Sequence, residues 1–181
     1  MNKKKILVLG KYGMLAQAVI KAAEKESFEV LTISKTEGCD LTKIKNYLEI
    51  ENLFNNLSPD LVFNATGITD LNYCENYPEQ AWMLHARVPS LIAKWSRNYH
   101  IPWVHVSTDH FYSSTKNNIH SEDDIVNPIN EYAASKLAGE SMALTSSKAL
   151  VLRTNIIGKR GWLNKPNFAE WVLNGLKNQT T

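Results

Sequence analysis

The sequence has few cysteines and no long apolar run. Only two of its 181 residues are cysteines, Cys39 and Cys74, and neither is spaced from a second cysteine or a histidine as metal ligands are. The apolar run at residues 6–9 is too short for the core of a signal peptide, and no later segment approaches the length of a membrane span. These absences predict a reduced, cytoplasmic protein without a metal site or a membrane partner.

The sequence also lacks a strong excess of either charge. Its formal net charge is +2, so it gives no broad field of the kind that attracts nucleic acid. Contents of 44% hydrophobic and 21% charged residues are ordinary for a globular protein, and the length suits one domain with its own core. We therefore expect a single domain over residues 1–181, with residues 113–124 as a loop excursion within it.

Five short apolar runs alternate with amphipathic segments. The runs predict strands and read KILVLG, FEVLTI, DLVFNAT, IPWVHVST and ALVLRT. Helices are predicted over residues 14–26, 43–57, 79–98, 129–145 and 167–177, with Pro89 kinking or dividing the third. This alternation predicts an α/β fold, a Rossmann-type doubly wound parallel sheet with helices on both faces. Ligands of such sheets bind at the carboxyl ends of the strands.

A glycine turn joins the first strand to the first helix. Gly10 can take a backbone conformation closed to other residues, Gly13 lets the chain approach a pyrophosphate, and the helix amides beyond it supply donors. A plain tight turn is the alternative interpretation. The place of the turn after the first strand favours a dinucleotide-binding site.

The end of the second strand bears on the choice of coenzyme. A carboxylate there would bind a free ribose hydroxyl, whereas a cation would favour a 2′-phosphate. The residues at this point are Ser34 and Lys35, and Lys11 offers a second cation. We expect NADPH, with NADH as the alternative; both lysines are equally consistent with plain surface charges.

Tyr132 and Lys136 lie four residues apart in the segment NEYAASKLAGE and therefore share one face of a helix. A nearby ammonium, helped by an oxidised nicotinamide, is expected to lower the pKa of the phenol and make it a usable acid. Thr108, at the end of the fourth strand, can hydrogen-bond a substrate carbonyl oxygen while Tyr132 delivers the proton. By spacing alone, the alternative is a solvated surface pair beside a strand cap.

Together these motifs resemble the extended short-chain dehydrogenase/reductases, and more narrowly the dTDP-4-dehydrorhamnose reductase family. The resemblance runs through GKYGMLA, CDLT, NATGITDLNYCENYP, VSTDHFY, NPINEYAASKLAGE, LRTNIIG and NF. It implies an oxidoreductase of dTDP-rhamnose biosynthesis that reduces the 4-keto group of a nucleotide-linked deoxysugar with NADPH or NADH. The nucleotide sugar is thus the expected partner.

The resemblance also implies a role for individual residues. The catalytic set would be Thr108, Tyr132 and Lys136. Besides Ser34, Lys35, Tyr132 and Lys136, the coenzyme would contact Gly10, Lys11, Gly13 and Met14 at the pyrophosphate, Asp40 and Leu41 at the adenine, and Asn64, Ala65 and Thr66 at the ribose. The substrate side would include Ser107, Asp109 and Arg153.

Four departures from this family are visible. His85 stands where relatives carry an asparagine, His110 where they carry an aromatic residue, and Ala133 where they carry a glycine. Relatives also continue beyond NF into a small domain that forms much of the sugar-nucleotide pocket, and we expect this substrate domain to be absent. The alternatives are therefore a non-catalytic NAD(P)-binding module or regulatory subunit, a fragment of the reductase, or a homodimer or partner chain that completes the cleft.

Overall fold

A computed structural model describes residues 3–112, 119–158 and 168–178 and contains a five-stranded parallel sheet. Residues 113–118 of the expected excursion lie outside the described residues. The strands run in the order β2-β1-β3-β4-β5, and their bounds are Lys5–Leu9 (β1), Glu29–Ile33 (β2), Leu61–Asn64 (β3), Trp103–Val106 (β4) and Ala149–Leu152 (β5). All five strands were predicted from the apolar runs.

Seven α-helices surround the sheet within the described residues. They are Met14–Lys25 (α1), Tyr47–Leu57 (α2), Leu71–Asn76 (α3), Pro78–Trp82 (α4), Val88–Tyr99 (α5), Glu131–Ala143 (α6) and Phe168–Asn178 (α7). Helix α2 begins later than predicted because the Asn46 side chain accepts from the Glu49 N–H and caps it there. Helix α3 was not predicted, and Asn167, the expected first residue of α7, lies outside the described residues. No helix in the described part is both long and apolar enough to cross a membrane.

The sheet is covered on both faces, which confirms the Rossmann-type fold. Leu7 and Leu9 of β1 point into a core with residues of α2 and α5, whereas Ile6 and Val8 point into a second core with residues of α1. The alternation follows from the period of two along a strand. Strand β1 lies between β2 and β3, so the crossovers reverse direction beside it and leave a crevice at the strand ends.

The long helix predicted for residues 79–98 is interrupted just ahead of Pro89. Pro89 lacks the N–H that would bond the carbonyl of His85 in an α-helix. The N–H of Val88 reaches five residues back to the Met83 carbonyl, and Met83–Arg87 forms a π-helical turn between α4 and α5. The predicted disturbance at Pro89 is therefore a change of helix type that frees the His85 carbonyl.

Candidate active site

Two adjoining cavities form a groove at the carboxyl ends of β1, β3 and β4. Their volumes are about 520 and 460 Å³, and Gly13, Ala65, Thr66 and Gly67 line both. The first cavity extends toward the end of β2, where the predicted coenzyme residues in its lining include Ser34, Lys35, Asp40 and Leu41. The second extends toward β4 and α6, where the predicted residues in its lining include Met14, Ser107, Thr108, Asp109, Tyr132 and Lys136.

The glycine turn has the geometry that a phosphate cradle needs. Gly10 has a φ of +86°, and a Cβ there would lie 3.1 Å from the Ala65 carbonyl oxygen. A Cβ at Gly13 would lie 3.2 Å from the Gly10 oxygen. No side chain caps α1 at Gly13, so the positive end of that helix faces the groove. The turn therefore fits the diphosphate of a dinucleotide.

A carboxylate that the sequence interpretation missed lies near the end of β2. The 3₁₀ turn Lys35–Glu37 folds Glu37 back so that its Oε2 accepts from Ser34 Oγ at 2.9 Å while Oε1 pairs with Lys11 Nζ. The pairing with Lys11 lowers the pKa of Glu37. The Ser-x-x-Glu spacing of residues 34–37, typical of a helix start, is the sequence signal that could have found it.

Both cations that suggested a 2′-phosphate site are therefore paired. Lys11 is held by Glu37, and Lys35 Nζ lies 3.1 Å from Asp40 Oδ2. Asp40 also caps the 3₁₀ turn Leu41–Lys43 by accepting from the Thr42 N–H. Lys11 does not line either of the two cavities, whereas Lys35 and Asp40 line the first.

The predicted catalytic residues converge in the second cavity. Tyr132 and Lys136 reach it from α6, and Thr108 reaches it from the end of β4, where its hydroxyl acts to lower the pKa of the Tyr132 phenol. The Lys136 ammonium is buried and donates to the Val106 carbonyl oxygen at 2.5 Å. Burial lowers the pKa of Lys136 to about 8.

The surroundings of Tyr132 raise the pKa of its phenol, and Lys136 is not among the causes of the shift. Burial raises the pKa of Tyr132, and the hydrogen bond from Thr108 opposes that rise only in part. The Lys136 ammonium is directed at Val106 and does not contribute to the shift. The described residues alone therefore keep Tyr132 protonated at neutral pH. The lowering expected from Lys136 together with an oxidised nicotinamide stays a prediction.

Two histidines flank the Tyr132 ring. The ring centroid of His85 lies 5.6 Å from that of Tyr132, and the His110 centroid lies 5.7 Å away, both in edge-on contacts. His110 lines the second cavity, and its backbone N–H donates to Thr108 Oγ1 at 3.1 Å. His85 is buried behind the tyrosine. Two of the departures noted in the sequence thus contact the same predicted acid.

A buried polar layer supports the groove from below. Asn64 Oδ1 accepts from both the N–H and the hydroxyl of Thr66, and Asn64 Nδ2 donates to His105 Nδ1 at 3.2 Å. Asn64 is fully buried and holds Thr66 in place, whereas Ala65 and Thr66 line the groove. Ser107 Oγ is buried beside the second cavity and has no hydrogen-bond partner within the described part of the chain. A polar ligand in the cavity would supply that partner.

Arg153 is engaged away from the groove. Its Nε donates to both carboxylate oxygens of Glu140 at 3.0 and 3.1 Å, Nη1 donates to the Tyr112 hydroxyl, and the guanidinium lies 5.1 Å from the centre of the Phe111 ring. Thr154, the next residue, lines the second cavity where Arg153 does not. A substrate contact of Arg153 stays a prediction.

The chain is similar to known proteins over nearly its whole length. Residues 4–181 match the family model described as the RmlD substrate binding domain. The dTDP-4-dehydrorhamnose reductase of Salmonella typhimurium is 30% identical over 181 residues, which cover 97% of this chain and 58% of that protein. The chain thus spans somewhat less than two thirds of the length of the curated relatives it matches.

Solved structures agree in fold. A crystal structure of a dTDP-4-dehydrorhamnose reductase from Clostridium acetobutylicum superposes with a TM-score of 0.82 at 27% identity, covering 96% of this chain and 60% of that one. A dTDP-4-dehydrorhamnose reductase from Bacillus anthracis, solved in complex with NADP, superposes with a TM-score of 0.75 at 21% identity, covering 84% and 54%. At that lower identity the likeness shows the fold alone.

Proposed function

The chain belongs to the RmlD substrate binding domain family, and from that premise we propose that it acts in the nicotinamide-coenzyme-dependent reduction of a nucleotide-linked 4-keto deoxysugar. The family membership confirms the resemblance seen in the sequence. One observation carries the proposal: Thr108, Tyr132 and Lys136 line a cavity that adjoins the glycine cradle. A pyrophosphate on that cradle would leave room for a nicotinamide beside the phenol.

The linings of the two cavities support an assignment of the residues that would hold the coenzyme. Gly10, Gly13 and Met14 would contact the diphosphate, Asp40 and Leu41 the adenosine end, and Ala65 and Thr66 the central part. When bound, the coenzyme supplies a hydride to the carbonyl carbon of the sugar. The uncapped amino end of α1 and the glycine turn beside it support a diphosphate-containing ligand.

The side chains of the protein would protonate and hydrogen-bond the carbonyl oxygen of the sugar. Tyr132 would donate its phenolic proton to that oxygen, and the Thr108 hydroxyl would hydrogen-bond the same oxygen as negative charge develops on it. The raised pKa of Tyr132 keeps the proton on the phenol until the reaction requires it. Lys136, largely charged at neutral pH, would stabilise the phenolate left behind.

We further propose NADPH as the preferred coenzyme, with NADH as the alternative. Lys11 and Lys35 are two cations near the end of β2, where the 2′-group is expected, and each is paired with a carboxylate. The Lys11–Glu37 pair is exposed, and exposed ion pairs are weak, so a doubly charged phosphate can displace the carboxylate. Glu37 supports the alternative, because a carboxylate near the end of β2 can accept from a free 2′-hydroxyl.

The test is turnover of dTDP-4-dehydro-6-deoxy-L-mannose with NADPH, followed by the absorbance of the reduced nicotinamide. We expect the wild-type chain to oxidise NADPH and Tyr132→Phe to bind it without turnover. Tyr77→Phe, at an exposed tyrosine outside the groove, is the matched control and should behave as wild type.

Two outcomes would contradict the proposal. Activity that survives Tyr132→Phe would remove Tyr132 from the role of acid. Saturable NADPH binding by the wild type without turnover would instead identify a coenzyme-binding module or regulatory subunit. Recovery of turnover on adding a homologous substrate domain in trans would separate an incomplete cleft from a site that has lost its chemistry.

A further inference from the structure

A chain of hydrogen bonds joins the loop after β3 to the catalytic turn of α6. The N–H of Ile68 donates to His85 Nε2 at 2.8 Å, and His85 Nδ1 lies 2.8 Å from Ser135 Oγ. Ser135 Oγ donates in turn to the Tyr132 carbonyl oxygen at 3.0 Å. His85 thus connects Ile68, which lines the first cavity, with the helix turn that carries Tyr132 and Lys136.

The partners of His85 fix its tautomer. A backbone N–H can only donate, so His85 Nε2 must accept from Ile68 and carry no proton. The proton of a neutral imidazole therefore lies on Nδ1 and is donated to Ser135 Oγ. That leaves the Ser135 hydroxyl proton for the Tyr132 carbonyl. All three bonds point the same way, from the loop to the helix.

The surroundings hold this imidazole in place and neutral. His85 is almost fully buried, and burial lowers its pKa to about 3, helped by the charge of Lys136. It belongs to the π-helical turn Met83–Arg87, and π turns frequently occur at functional sites. Its ring also contacts the Tyr132 ring edge-on. Backbone, ring and hydrogen bonds all limit its movement.

We propose that His85 is a positioning residue for the Tyr132 acid, which through its Nδ1–H tautomer ties the catalytic turn of α6 to the loop after β3. This inference rests on the proposed function, because it concerns the site that performs that reduction. The loop forms the floor of the groove and α6 carries the acid, so their relative position sets the distance from phenol to carbonyl oxygen. Misplacement of reacting groups by about 1 Å can reduce the rate about a hundredfold.

Three substitutions separate the two bonds of His85. Asn places an amide near the position of Nδ1 and retains a donor for Ser135, whereas Gln places an amide near the position of Nε2 and retains an acceptor for Ile68. Leu removes both. We expect kcat to fall about tenfold to a hundredfold in His85→Leu, with partial recovery in His85→Asn and His85→Gln. The coenzyme Kd should change less than kcat, because the glycine turn between β1 and α1 is untouched.

The matched control is His100→Asn. His100 is exposed at the end of α5, and its backbone has the left-handed conformation, which asparagine tolerates well. It should keep wild-type kcat. A role limited to folding predicts a different pattern, in which every folded His85 variant has a lowered melting temperature and an unchanged kcat. That pattern would overturn the proposal.

Two NMR measurements test the proposal independently of activity. They therefore distinguish its failure from a failure of the proposed function, in which the wild type shows no turnover. Long-range ¹H–¹⁵N correlations should show a protonated Nδ1 and an unprotonated Nε2 at His85, and the opposite tautomer would overturn the proposal. Nuclear Overhauser contacts between the Tyr132 ring and Thr108 should weaken in His85→Leu relative to His85→Gln. Unchanged contacts would also overturn it.

Discussion

Gly139 of α6 lies directly against the backbone carbonyl of His85. A Cβ at Gly139 would come within 1.8 Å of the His85 oxygen, far inside the distance that two such atoms can share. The contact exists because Pro89 leaves that carbonyl without its usual helical donor, so the carbonyl meets the neighbouring helix instead. Close packing of α6 on the π turn thus depends on a glycine and a proline distant in sequence.

Gly139→Ala tests this packing. The new methyl group would meet backbone on the facing turn, which cannot move aside as a flexible side chain can, so we expect a loss of about 3 kcal/mol in the free energy of unfolding. Urea unfolding would measure it. Gly175→Ala in α7 is the control, because a Cβ there meets nothing within 4 Å, and it should be neutral or stabilising by up to about 1 kcal/mol. Equal effects would show that α6 and the π turn can separate easily.

Burial of neutral His85 predicts a loss of stability in acid. The pKa of His85 is about 3 in the folded protein against an ordinary 6.5, so the unfolded chain binds the additional proton between these values. Stability should therefore fall as the pH drops from 6.5 toward 3, with a contribution from His85 on the order of a few kcal/mol. His105, whose pKa burial also lowers, adds in the same direction.

The measurement is the free energy of unfolding of wild type and His85→Gln across that pH range. The glutamine variant starts from a lower stability, so the comparison concerns the slope with pH. We expect a shallower slope for His85→Gln. Parallel slopes would mean that folding does not lower the pKa of His85.

Burial of Lys136 predicts a change of stability at alkaline pH. Its pKa is lowered from 10.5 to about 8 by burial, so between these values the unfolded chain holds more protons than the folded one and stability rises with pH. Relative to Lys136→Met, wild type should gain on the order of 3 kcal/mol from pH 8 to 10.5. The exposed Lys21→Met controls for loss of a charge elsewhere. A constant difference between wild type and Lys136→Met would refute the lowered pKa.

Removal of the Glu37 carboxylate should shift the preference between NADPH and NADH. Glu37→Gln removes the carboxylate that neutralises Lys11 and that repels a 2′-phosphate, so NADPH should bind more tightly relative to NADH, by roughly up to fivefold. Fluorescence titration with each coenzyme would measure both dissociation constants. Glu24→Gln, an exposed glutamate of α1, is the control. An unchanged ratio would mean that Glu37 does not face the 2′-group.

The sequence predicts the strands and the groove well because both depend on local rules. Apolar runs of strand length and the glycine turn need no tertiary information, and parallel topology brings their carboxyl ends together. The position of Glu37 depends on the 3₁₀ turn Lys35–Glu37, which brings its carboxylate back toward the end of β2. The apolar pattern that predicts a strand does not predict such a turn. Spacing places Lys136 on the same helix face as Tyr132, but it does not show that the Lys136 ammonium bonds to the Val106 carbonyl. The raised pKa that burial gives Tyr132 was therefore not visible in the sequence.

The role of Arg153 can be decided by a pair of substitutions. Arg153 forms three hydrogen bonds to Glu140, two from Nε and one from Nη2, and the Glu140 carboxylate is buried. Arg153→Met should therefore destabilise the protein by about 3–5 kcal/mol by leaving that charge without its partner. Replacing both residues with methionine removes the buried charge as well and should recover most of the loss. If Arg153 acts only through this pair, the double variant will have a wild-type KM for the sugar nucleotide. A KM that stays raised after stability has been recovered would show that the guanidinium leaves Glu140 to contact the substrate.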